Sequence, residues 1–381
     1  LISSLRRKFV DIEILYLETF LSLKEQLAKI DTFDPDIYGI SFASFLAPTA
    51  YRTINVVKER FPNLAIICGG PHPSANSEDV LEKTVADICV IGEGEQTMVE
   101  LVRYFQIGGE LEKIAGIAYR KDDQIRKTVP RAFIENLDRI PFPAWDVIDI
   151  KNYIGITLQK SRPYMMLIVS RGCPYNCTYC ANPVWKANKP WYRARSAENI
   201  VEEIELLYHM GLREITLRCD EFNINLAWSI EVCRKIKNLE HDDLHFQTVL
   251  RADKVTKEFA KALKAINCWL VYLGIESGNQ RTLDGYGKKI TLEQIVNAAK
   301  TLKEEGIKIM GFFMIYNVWE ENGRLCYESH QEVSKTLDFA KLLLSKRLID
   351  FNAWGFVVPI VGARLYDICL RHNLISRDNG R

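Results

Sequence analysis

The chain has 381 residues, of which 48% are hydrophobic and 26% are charged, and its 50 basic and 49 acidic side chains give a formal net charge of +1. This length suits two domains of ordinary size, each with its own apolar core. The balanced charge gives no electrostatic reason to expect a nucleic acid or an anionic membrane as a partner, and no apolar run is long enough to cross a bilayer. We therefore expect a cytoplasmic protein that acts on a small molecule.

The cysteines and the first residues of the chain bear on its redox state and its completeness. Ten cysteines without a regular framework spacing indicate reduced thiols rather than a disulfide scaffold. Seven of them are predicted to be structural, although one of these, Cys219, borders an acidic pair. The chain begins with leucine, and residues 1–9 predict a helix that should follow a missing strand. We therefore expect the sequence to be a fragment.

Short β-rich runs alternate with amphipathic helices in the first part of the chain. Strands are predicted at residues 12–18, 37–43, 65–70 and 88–92, and helices near residues 24–33, 48–60, 77–84 and 95–105. This alternation is typical of parallel sheets with right-handed crossovers. Residues 1–110 therefore predict a doubly wound α/β domain of the Rossmann or flavodoxin type.

The periodicity weakens between residues 111 and 160, which we predict to be a linker with a charged hairpin at residues 118–127 and a Pro-rich stretch at residues 140–144. Six further strands with intervening helices are predicted at residues 164–170, 213–218, 244–250, 269–276, 307–315 and 350–358. Ser196 is predicted to cap the first of these helices, and Gly211 to end it. Residues 161–381 therefore predict a partial, TIM-like (β/α)6 barrel.

A cysteine triplet follows the first predicted barrel strand directly. Cys173, Cys177 and Cys180 have a three-then-two spacing in a polar loop. Barrel active sites form at this end of the strands. One such loop can wrap three thiolates around a 4Fe–4S cluster and leave the fourth iron without a protein ligand. The sequence therefore predicts an iron–sulfur cluster with an open coordination position.

Two alternative roles for the triplet have less support. A structural zinc site needs four closed ligands, and the next candidates, His209 and Cys219, are distant and on other elements. Three thiols buried by coincidence are disfavoured because Pro174, Asn176 and Thr178 make the loop polar. The cysteine spacing is thus the most specific chemical signal in the chain.

With Tyr179 before the last cysteine, the motif resembles the signature of the radical S-adenosylmethionine (radical SAM) superfamily, and the resemblance covers most of the chain. It implies that the free iron chelates S-adenosylmethionine and that one electron from the cluster cleaves the sulfonium. The resulting 5′-deoxyadenosyl radical would abstract a substrate hydrogen. The resemblance also implies that Tyr179 lies near S-adenosylmethionine and that a flavodoxin or ferredoxin donates electrons. It identifies no catalytic residue of this chain.

Later strands end in residues that the resemblance places around S-adenosylmethionine. Asp220 and Glu221 resemble the acidic motif that holds the methionine amino group, and a solvated acidic turn is the alternative. Glu276 and Ser277 lie in a Gly-Ile-Glu-Ser-Gly motif similar to that of the family, where they would hydrogen-bond ribose or methionine. Arg251 is predicted to pair with the S-adenosylmethionine carboxylate or a neighbouring acid, and a structural salt bridge is an equal alternative.

Other segments match or depart from the family pattern. Arg193 and Arg195 match a Tyr-Arg-x-Arg-Ser segment, with a surface pair as the alternative. Residues 316–321 replace the usual Gly-x-Pro-Gly-Glu turn after the fifth strand, and residues 359–364 depart from the usual Pro-x-Pro-Gly-Thr. These departures affect the turn that helps to cradle adenine.

Glycine-rich strand ends in the front domain resemble the cobalamin-binding domain joined to some radical SAM enzymes. Each turn alone is ordinary chemistry for parallel strands, but the order and spacing match together, as does the linker at residues 136–144. The resemblance implies bound cobalamin. The residues predicted to contact it are Ser41, Gly69, Gly70, His72, Gly92, Glu93 and Gly94.

The Asp-x-His-x-x-Gly motif that supplies a lower axial histidine in some cobalamin proteins is absent from the sequence. We therefore predict that His72 contacts a loop or tail of cobalamin rather than cobalt. The resemblance implies base-off cobalamin without a histidine ligand, with residues 41–47 near its lower face.

The leading hypothesis is a cobalamin-dependent methyltransferase that moves a methyl group to an unactivated carbon or phosphorus of a natural-product-like molecule. Alternatives are a cyclase or rearrangement enzyme, and a radical-only enzyme whose front domain binds no cobalamin. A tRNA methylthiotransferase would carry a second cysteine triplet in front, where only Cys68 and Cys89 occur. A non-enzymatic, zinc-stapled binding protein would hold zinc rather than iron.

Overall fold

A five-stranded sheet forms the front domain in the computed structural model, which describes residues 1–155, 158–186 and 189–376. Its strands run across the sheet in sequence order. The first three pair in parallel, and the last two form an antiparallel hairpin that joins the third. The strands are β1 (Ile37–Ser41), β2 (Ala65–Gly69), β3 (Ile88–Val90), β4 (Ile117–Lys121) and β5 (Gln124–Lys127).

Helices cover both faces of this sheet. Ser22 begins the second helix with a capping box, because its hydroxyl accepts from Glu25 N while the Glu25 carboxylate accepts from Ser22 N. Ile54 and Leu81 are buried in an apolar cluster on one face, and Leu101 lies in a second cluster. The predicted α/β class is confirmed. The helices are α1 (Ile2–Arg6), α2 (Leu23–Phe33), α3 (Ala47–Arg60), α4 (Pro71–Lys83) and α5 (Gly94–Ile107).

Three features of the front domain differ from the prediction. Residues 12–18 form no strand and pair with none of the described strands, since strand propensity gains little without a neighbouring ladder. The hairpin predicted in the linker belongs to the front sheet, which therefore extends past residue 110. The helix predicted at residues 77–84 is the second part of α4, and a further helical stretch that begins at Pro71 precedes it across a kink at Asn76.

Six parallel strands form the second sheet, and their bounds lie within two residues of the predicted ones. The first strand, β6 (Tyr164–Ile168), is followed by two short antiparallel strands, β7 (Ser170–Arg171) and β8 (Arg193–Ala194). The sheet continues with β9 (Glu214–Arg218), β10 (His245–Leu250), β11 (Cys268–Glu276) and β12 (Lys308–Ile315). After a hairpin of β13 (Val318–Glu321) and β14 (Arg324–Tyr327), it ends with β15 (Phe351–Phe356). Among the described residues β6 and β15 are its edges, so this partial barrel is open between them.

Helices pack against the outside of the barrel. As predicted, Ser196 caps the first of them by accepting from Asn199 N at 3.1 Å, and Gly211 follows its end with a φ of 100°. None of the helices in the described ranges has the length and apolar character needed to cross a membrane. The helices are α6 (Ala197–His209), α7 (Leu226–Lys237), α8 (Lys257–Ala265), α9 (Gln280–Gly285), α10 (Leu292–Glu304), α11 (His330–Ser345) and α12 (Arg364–Arg371).

Gly70, between β2 and α4, has a φ of 94°, and a Cβ there would lie 2.6 Å from Ser41 Oγ and 3.0 Å from Phe42 N. We predict that Gly70→Ala destabilises the front domain by about 1–3 kcal/mol, because both the backbone conformation and the space exclude a side chain. Gly39→Ala is the control, since its Cβ would have no neighbour within 4 Å. Urea denaturation followed by circular dichroism measures the difference, and equal midpoints for the two variants would contradict the prediction.

Candidate functional site

The loop that carries the three cysteines leaves the barrel at the carboxyl end of β6 and is fixed along its length. The pairing of β7 with β8 holds its start. Gly172 has a φ of 83°, and any Cβ there would overlap the carbonyl oxygen of Trp191. Further along, Thr178 N donates to Tyr286 O, and Thr178 O accepts from Leu365 N, both at 2.9 Å. The protein backbone therefore positions this loop.

The cysteines differ in exposure but share an environment dominated by burial and nearby acids. Cys177 is buried, whereas Cys173 and Cys180 are half-buried. Burial raises the pKa of Cys173 to about 12, with a further contribution from the carboxylates of Glu221 and Asp220. Burial also raises the pKa of Cys180, to about 11. Because thiolates are the ligating form, a bound iron centre would displace these protons.

The spacing of the ligands distinguishes a cluster from a single ion. Across residues 1–155, 158–186 and 189–376, no three His, Cys, Asp or Glu side chains are grouped closely enough to hold one metal ion. A tetrahedral zinc ion needs four such ligands around it. A cuboidal 4Fe–4S cluster binds each thiolate to a different iron, so its cysteines stand farther apart. Three cysteines in one loop are the number of ligands that would leave one iron of such a cluster open.

The acidic pair after β9 lies beside the cysteine loop. Asp220 is exposed towards the mouth of the barrel, yet desolvation by the surrounding protein raises its pKa. Burial raises the pKa of Glu221 to about 7, and its Oε2 is buried without a hydrogen-bond partner among the described residues. Because an unsatisfied buried carboxylate oxygen costs free energy, this position favours a ligand that donates a hydrogen bond, such as an amino group.

Glu276, the last residue of β11, forms a buried ion pair with a lysine that sequence reasoning missed. Its Oε1 accepts from Lys288 Nζ at 2.9 Å, and Lys288 is only 3% exposed. Desolvation lowers the pKa of Lys288, but the carboxylates of Glu276 and Glu221 outweigh it and raise the pKa overall. Lys288 Nζ also donates to Oη of Tyr179 at 3.3 Å. A Lys-Lys pair after a glycine is typical of an exposed turn, so the sequence carried no signal for this burial.

Protein partners occupy two of the residues predicted to contact S-adenosylmethionine. Arg251 Nε lies 2.7 Å from Asp253 Oδ1, and its guanidinium carbon lies 3.8 Å from the centre of the Tyr175 ring. Ser277 Oγ donates to Glu328 Oε1 at 3.2 Å. The contacts of Arg251 are those of the structural salt-bridge alternative, and they tie the end of β10 to the cysteine loop.

The two segments that depart from the family pattern are packed elements. Residues 316–321 lead into the β13–β14 hairpin, where the fully buried Trp319 donates through Nε1 to Glu321 Oε1 at 2.9 Å. In the other segment Gly362 has a φ of 89°, and a Cβ there would lie 3.2 Å from Cβ of Ala75 in α4. This second segment therefore contacts the front domain directly.

The carboxyl ends of β1, β2 and β3 lie along one edge of the front sheet. Ser41 pairs in register with Gly69, and Gly92 follows β3 with its N–H donating to Ser74 Oγ at 3.0 Å. A Cβ at Gly92 would have no atom within 4 Å, so the backbone there is open to a ligand. Ligands of open α/β sheets bind at this end of the strands. The edge therefore fits the cobalamin site that the sequence predicts.

His72 is buried with both ring nitrogens engaged. Its Nε2 lies 2.9 Å from Oη of Tyr51 and its Nδ1 lies 3.0 Å from Oγ of Ser44. Because the Tyr51 hydroxyl donates to Asp79 at 2.6 Å, the consistent assignment has Nε2–H donating to Tyr51 and Nδ1 accepting from Ser44. Burial lowers the pKa of His72, which favours this neutral form. Both ring nitrogens of His72 thus bind within the front domain, and its predicted contact with cobalamin stays a prediction.

Glu93, predicted to contact cobalamin, has its carboxylate turned towards the barrel. Its Oε1 accepts from Arg171 Nη1 and Arg193 Nη1, both at 2.9 Å, and its Oε2 accepts from Ile134 N at 2.9 Å. Arg171 also donates to Glu95 Oε1 at 2.6 Å. The side chains of Glu93 and Arg193 are only 7% and 5% exposed. A buried carboxylate of the front domain thus holds both short strands that frame the cysteine loop.

Two other predicted residues make contacts within the protein. Arg195 Nη1 lies 2.5 Å from Glu203 Oε2, and its Nε donates to Asn199 Oδ1 at 2.7 Å, so neither matched arginine forms a surface pair. Gly94 begins α5, where a Cβ would lie 3.2 Å from Cδ2 of Leu1. The side of Gly94 where a Cβ would project is therefore covered by the first residue of the chain.

Two protein-family models match separate parts of the chain. The model of the radical SAM superfamily matches residues 167–323, and that of the B12 binding domain matches residues 1–102. The first segment covers most of the barrel, and the second covers the three parallel strands of the front sheet.

Known proteins match over most of the chain. It is 33% identical over 383 residues to an uncharacterized methyltransferase of Pyrococcus horikoshii, an alignment that covers 100% of this chain and 79% of that protein. It is 28% identical over 369 residues to the anaerobic magnesium-protoporphyrin IX monomethyl ester cyclase of Rubrivivax gelatinosus, covering 90% of this chain and 64% of the cyclase. The structure of OxsB, a cobalamin-dependent S-adenosylmethionine radical enzyme with aqua-cobalamin bound, has a TM-score of 0.73 and 19% identity, covering 94% of this chain and 56% of OxsB. That likeness shows a shared fold.

We predict that Glu93→Ala destabilises the protein by about 3–5 kcal/mol, because it leaves two arginine side chains without the buried carboxylate that pairs them. Glu112→Ala is the control, since the carboxylate that it removes forms its ion pair with Lys121 at the surface, where ion pairs contribute little. Urea denaturation measures the stability, and hydrogen–deuterium exchange should show faster exchange in the cysteine loop for Glu93→Ala alone. A similar loss in both variants would contradict the prediction.

Proposed function

The chain belongs to the radical SAM enzymes that carry a B12-binding domain, and we propose that it is a methyltransferase acting on an unactivated carbon or phosphorus centre of a small molecule. The cofactors of this family are a 4Fe–4S cluster, S-adenosylmethionine and cobalamin. The observation that carries the proposal is the position of the three-cysteine loop at the barrel mouth, tied through Glu93 to the domain whose open strand ends suit cobalamin.

The residues at the mouth fit these cofactors. Glu221, with a buried oxygen that lacks a donor, and Asp220 would hold the amino group of S-adenosylmethionine. When bound, the cluster would supply the electron that cleaves the sulfonium, and cobalamin would supply a carrier for the methyl group. The cluster would be held by Cys173, Cys177 and Cys180, and cobalamin would lie against Ser41, Gly69, Gly70 and Gly92.

The chain's own side chains prepare the site by charge and by exclusion of water. The charges of Glu276, Glu221 and Cys177 outweigh burial and raise the pKa of Lys288, so this buried lysine stays charged beside the cysteine loop. Its ion pair with Glu276 holds the carboxylate of that residue beside the mouth. Behind the loop, Tyr179 and Tyr286 pack edge to face with ring centres 5.1 Å apart, which shields the site from solvent.

Similarity favours methyl transfer over the alternatives within the family. The methyltransferase of Pyrococcus horikoshii is more identical to this chain than the cyclase is, and more of its length is covered. Cyclases and rearrangement enzymes would share the reductive step, but the methyl group would stay on the methionine that this cleavage releases. A radical-only enzyme would bind no corrinoid. Methyl loss from S-adenosylmethionine therefore separates these reactions.

We further propose a cytoplasmic protein that receives its electrons from a flavodoxin or ferredoxin. All ten cysteines are free thiols, as expected in a reducing compartment. Reductive cleavage of a sulfonium consumes one electron per event, which a small redox protein can deliver to a cluster near the surface.

The proposed function predicts two products from S-adenosylmethionine. Anaerobically reconstituted protein with hydroxocobalamin and a reductant should release 5′-deoxyadenosine and also form S-adenosylhomocysteine, about one equivalent per bound corrinoid before any substrate is added. Serine at Cys173, Cys177 or Cys180 should reduce 5′-deoxyadenosine at least about a hundredfold and remove the cluster signal in electron paramagnetic resonance, because three thiolates hold the cluster. Cys326→Ser, in the β13–β14 hairpin, is the control and should leave both unchanged.

Each outcome of this experiment identifies a different activity. Formation of 5′-deoxyadenosine without S-adenosylhomocysteine would favour the cyclase or rearrangement alternative. Absence of stoichiometric corrinoid would favour the radical-only alternative. Full 5′-deoxyadenosine release by the three serine variants would refute the iron–sulfur site itself.

We predict that Glu221→Gln raises the KM for S-adenosylmethionine about tenfold or more, because a neutral amide holds an ammonium group less strongly than a carboxylate does. Iron content and the cluster signal should stay unchanged, since Glu221 is not a predicted ligand. Glu202→Gln, on the exposed face of α6, is the matched control. Initial-rate measurements of 5′-deoxyadenosine release test the prediction, which fails if both variants keep the KM of the unmodified protein.

A further inference from the structure

An exposed arginine, Arg218, lies on the inner face of the barrel. In β9 the side chains of Ile215 and Leu217 are buried in the core under the helices. Because successive side chains of a strand point to opposite faces, Glu214 and Arg218 face the lumen instead. Arg218 is exposed there, at the carboxyl end of the strand and beside the paired Ile168 of β6.

At the amino-terminal end of β9, the carboxylate of Glu214 has all its hydrogen bonds within the protein. Glu214 Oε1 accepts from Trp269 Nε1 at 2.8 Å and from Gln247 Nε2 at 2.5 Å. Its Oε2 accepts from the backbone N–H groups of Lys160 and Ser161 at 2.6 and 2.5 Å. This carboxylate therefore accepts its hydrogen bonds from other groups and forms no ion pair with Arg218.

Arg218, in contrast, lacks a partner among the described residues. Its guanidinium forms no ion pair or hydrogen bond with them. Desolvation raises the pKa of Asp220 and of Tyr164, and the charge of Arg218 opposes part of each increase. An arginine can bind a carboxylate or a phosphate through two parallel hydrogen bonds. Arg218 lies between Asp220 at the barrel mouth and Glu214 at the opposite end of β9, which is where a substrate would lie.

Apolar side chains of other barrel strands are also exposed on this face of the sheet. Met166 and Ile168 of β6 are 49% and 52% exposed, and Phe312 of β12 is 40% exposed. Phe312 stacks on Tyr272 with ring centres 5.8 Å apart. Parallel sheets are normally covered on both faces, so these exposed side chains indicate that the described residues leave part of the lumen uncovered, where an apolar ligand could bind.

We propose that Arg218 binds an anionic oxygen group of the substrate, a carboxylate or a phosphate, while Met166, Ile168 and Phe312 contact its apolar part. This inference rests on the proposed function and names the substrate class of the same site: small, partly apolar organic acids or phosphate esters. Arg218 would thus select the substrate by charge and orient it towards the barrel mouth.

Matched probes test the proposal on the reconstituted holoenzyme with S-adenosylhomocysteine present. Calorimetric titrations should show that octanoate or octyl phosphate binds at least about tenfold more tightly than neutral octanamide, the lower end of what a hydrogen bond to a charged group contributes. Arg218→Met should abolish this preference, and Arg218→Lys should retain part of it. Arg234→Met, on the exposed surface of α7, is the control for loss of a charge and should keep the preference. Ile168→Ala should weaken the binding of all three probes equally.

The outcomes separate this inference from the proposed function. If the unmodified protein binds neither anion, binds octanamide as tightly, or if Arg218→Met keeps the preference, the inference is wrong. The same preparation is assayed for 5′-deoxyadenosine, so a failed radical reaction is seen independently of probe binding. A preference for octanoate over octyl phosphate, or the reverse, identifies which anion the lumen accepts.

Discussion

One buried carboxylate, that of Glu93, ties the front domain to the strands that frame the cysteine loop. It accepts hydrogen bonds from an arginine on each of the two short strands that frame the cysteine loop, and from the backbone at Ile134 in the connecting segment. Buried charges are costly unless they are paired, so these groups can be buried only together. The strand ends of the front sheet and the mouth of the barrel are therefore held as one site.

Much of the architecture could be predicted because the strands and helices follow from local sequence patterns. The barrel strands are apolar runs bounded by helices, and their predicted bounds lie within two residues of the observed ones. Residues 12–18 have the composition of a strand but no neighbouring ladder, which no local pattern reveals. The hairpin of β4 and β5 is predictable as a hairpin, yet its membership of the front sheet depends on pairing with the distant β3.

The same distinction applies to the site. The cysteine triplet is recognisable because its three ligands lie in one loop and their spacing is chemical information. Lys288 and the partners of Glu93 could not be predicted because their burial depends on tertiary contacts, such as the pair of Glu93 with Arg193. A glutamate between two glycines looks like turn chemistry until its partners are known. Because Glu93 is buried against arginines of the barrel, it links the two domains.

The gap between β6 and β15 allows the curvature of the barrel sheet to change, which a closed barrel would resist. No ladder of hydrogen bonds joins the described residues of these edge strands. Changing the curvature of the sheet would therefore widen or narrow its interior without breaking any inter-strand bond. Such a change in curvature could accommodate substrates of different widths, while the backbone contacts of the cysteine loop keep its geometry.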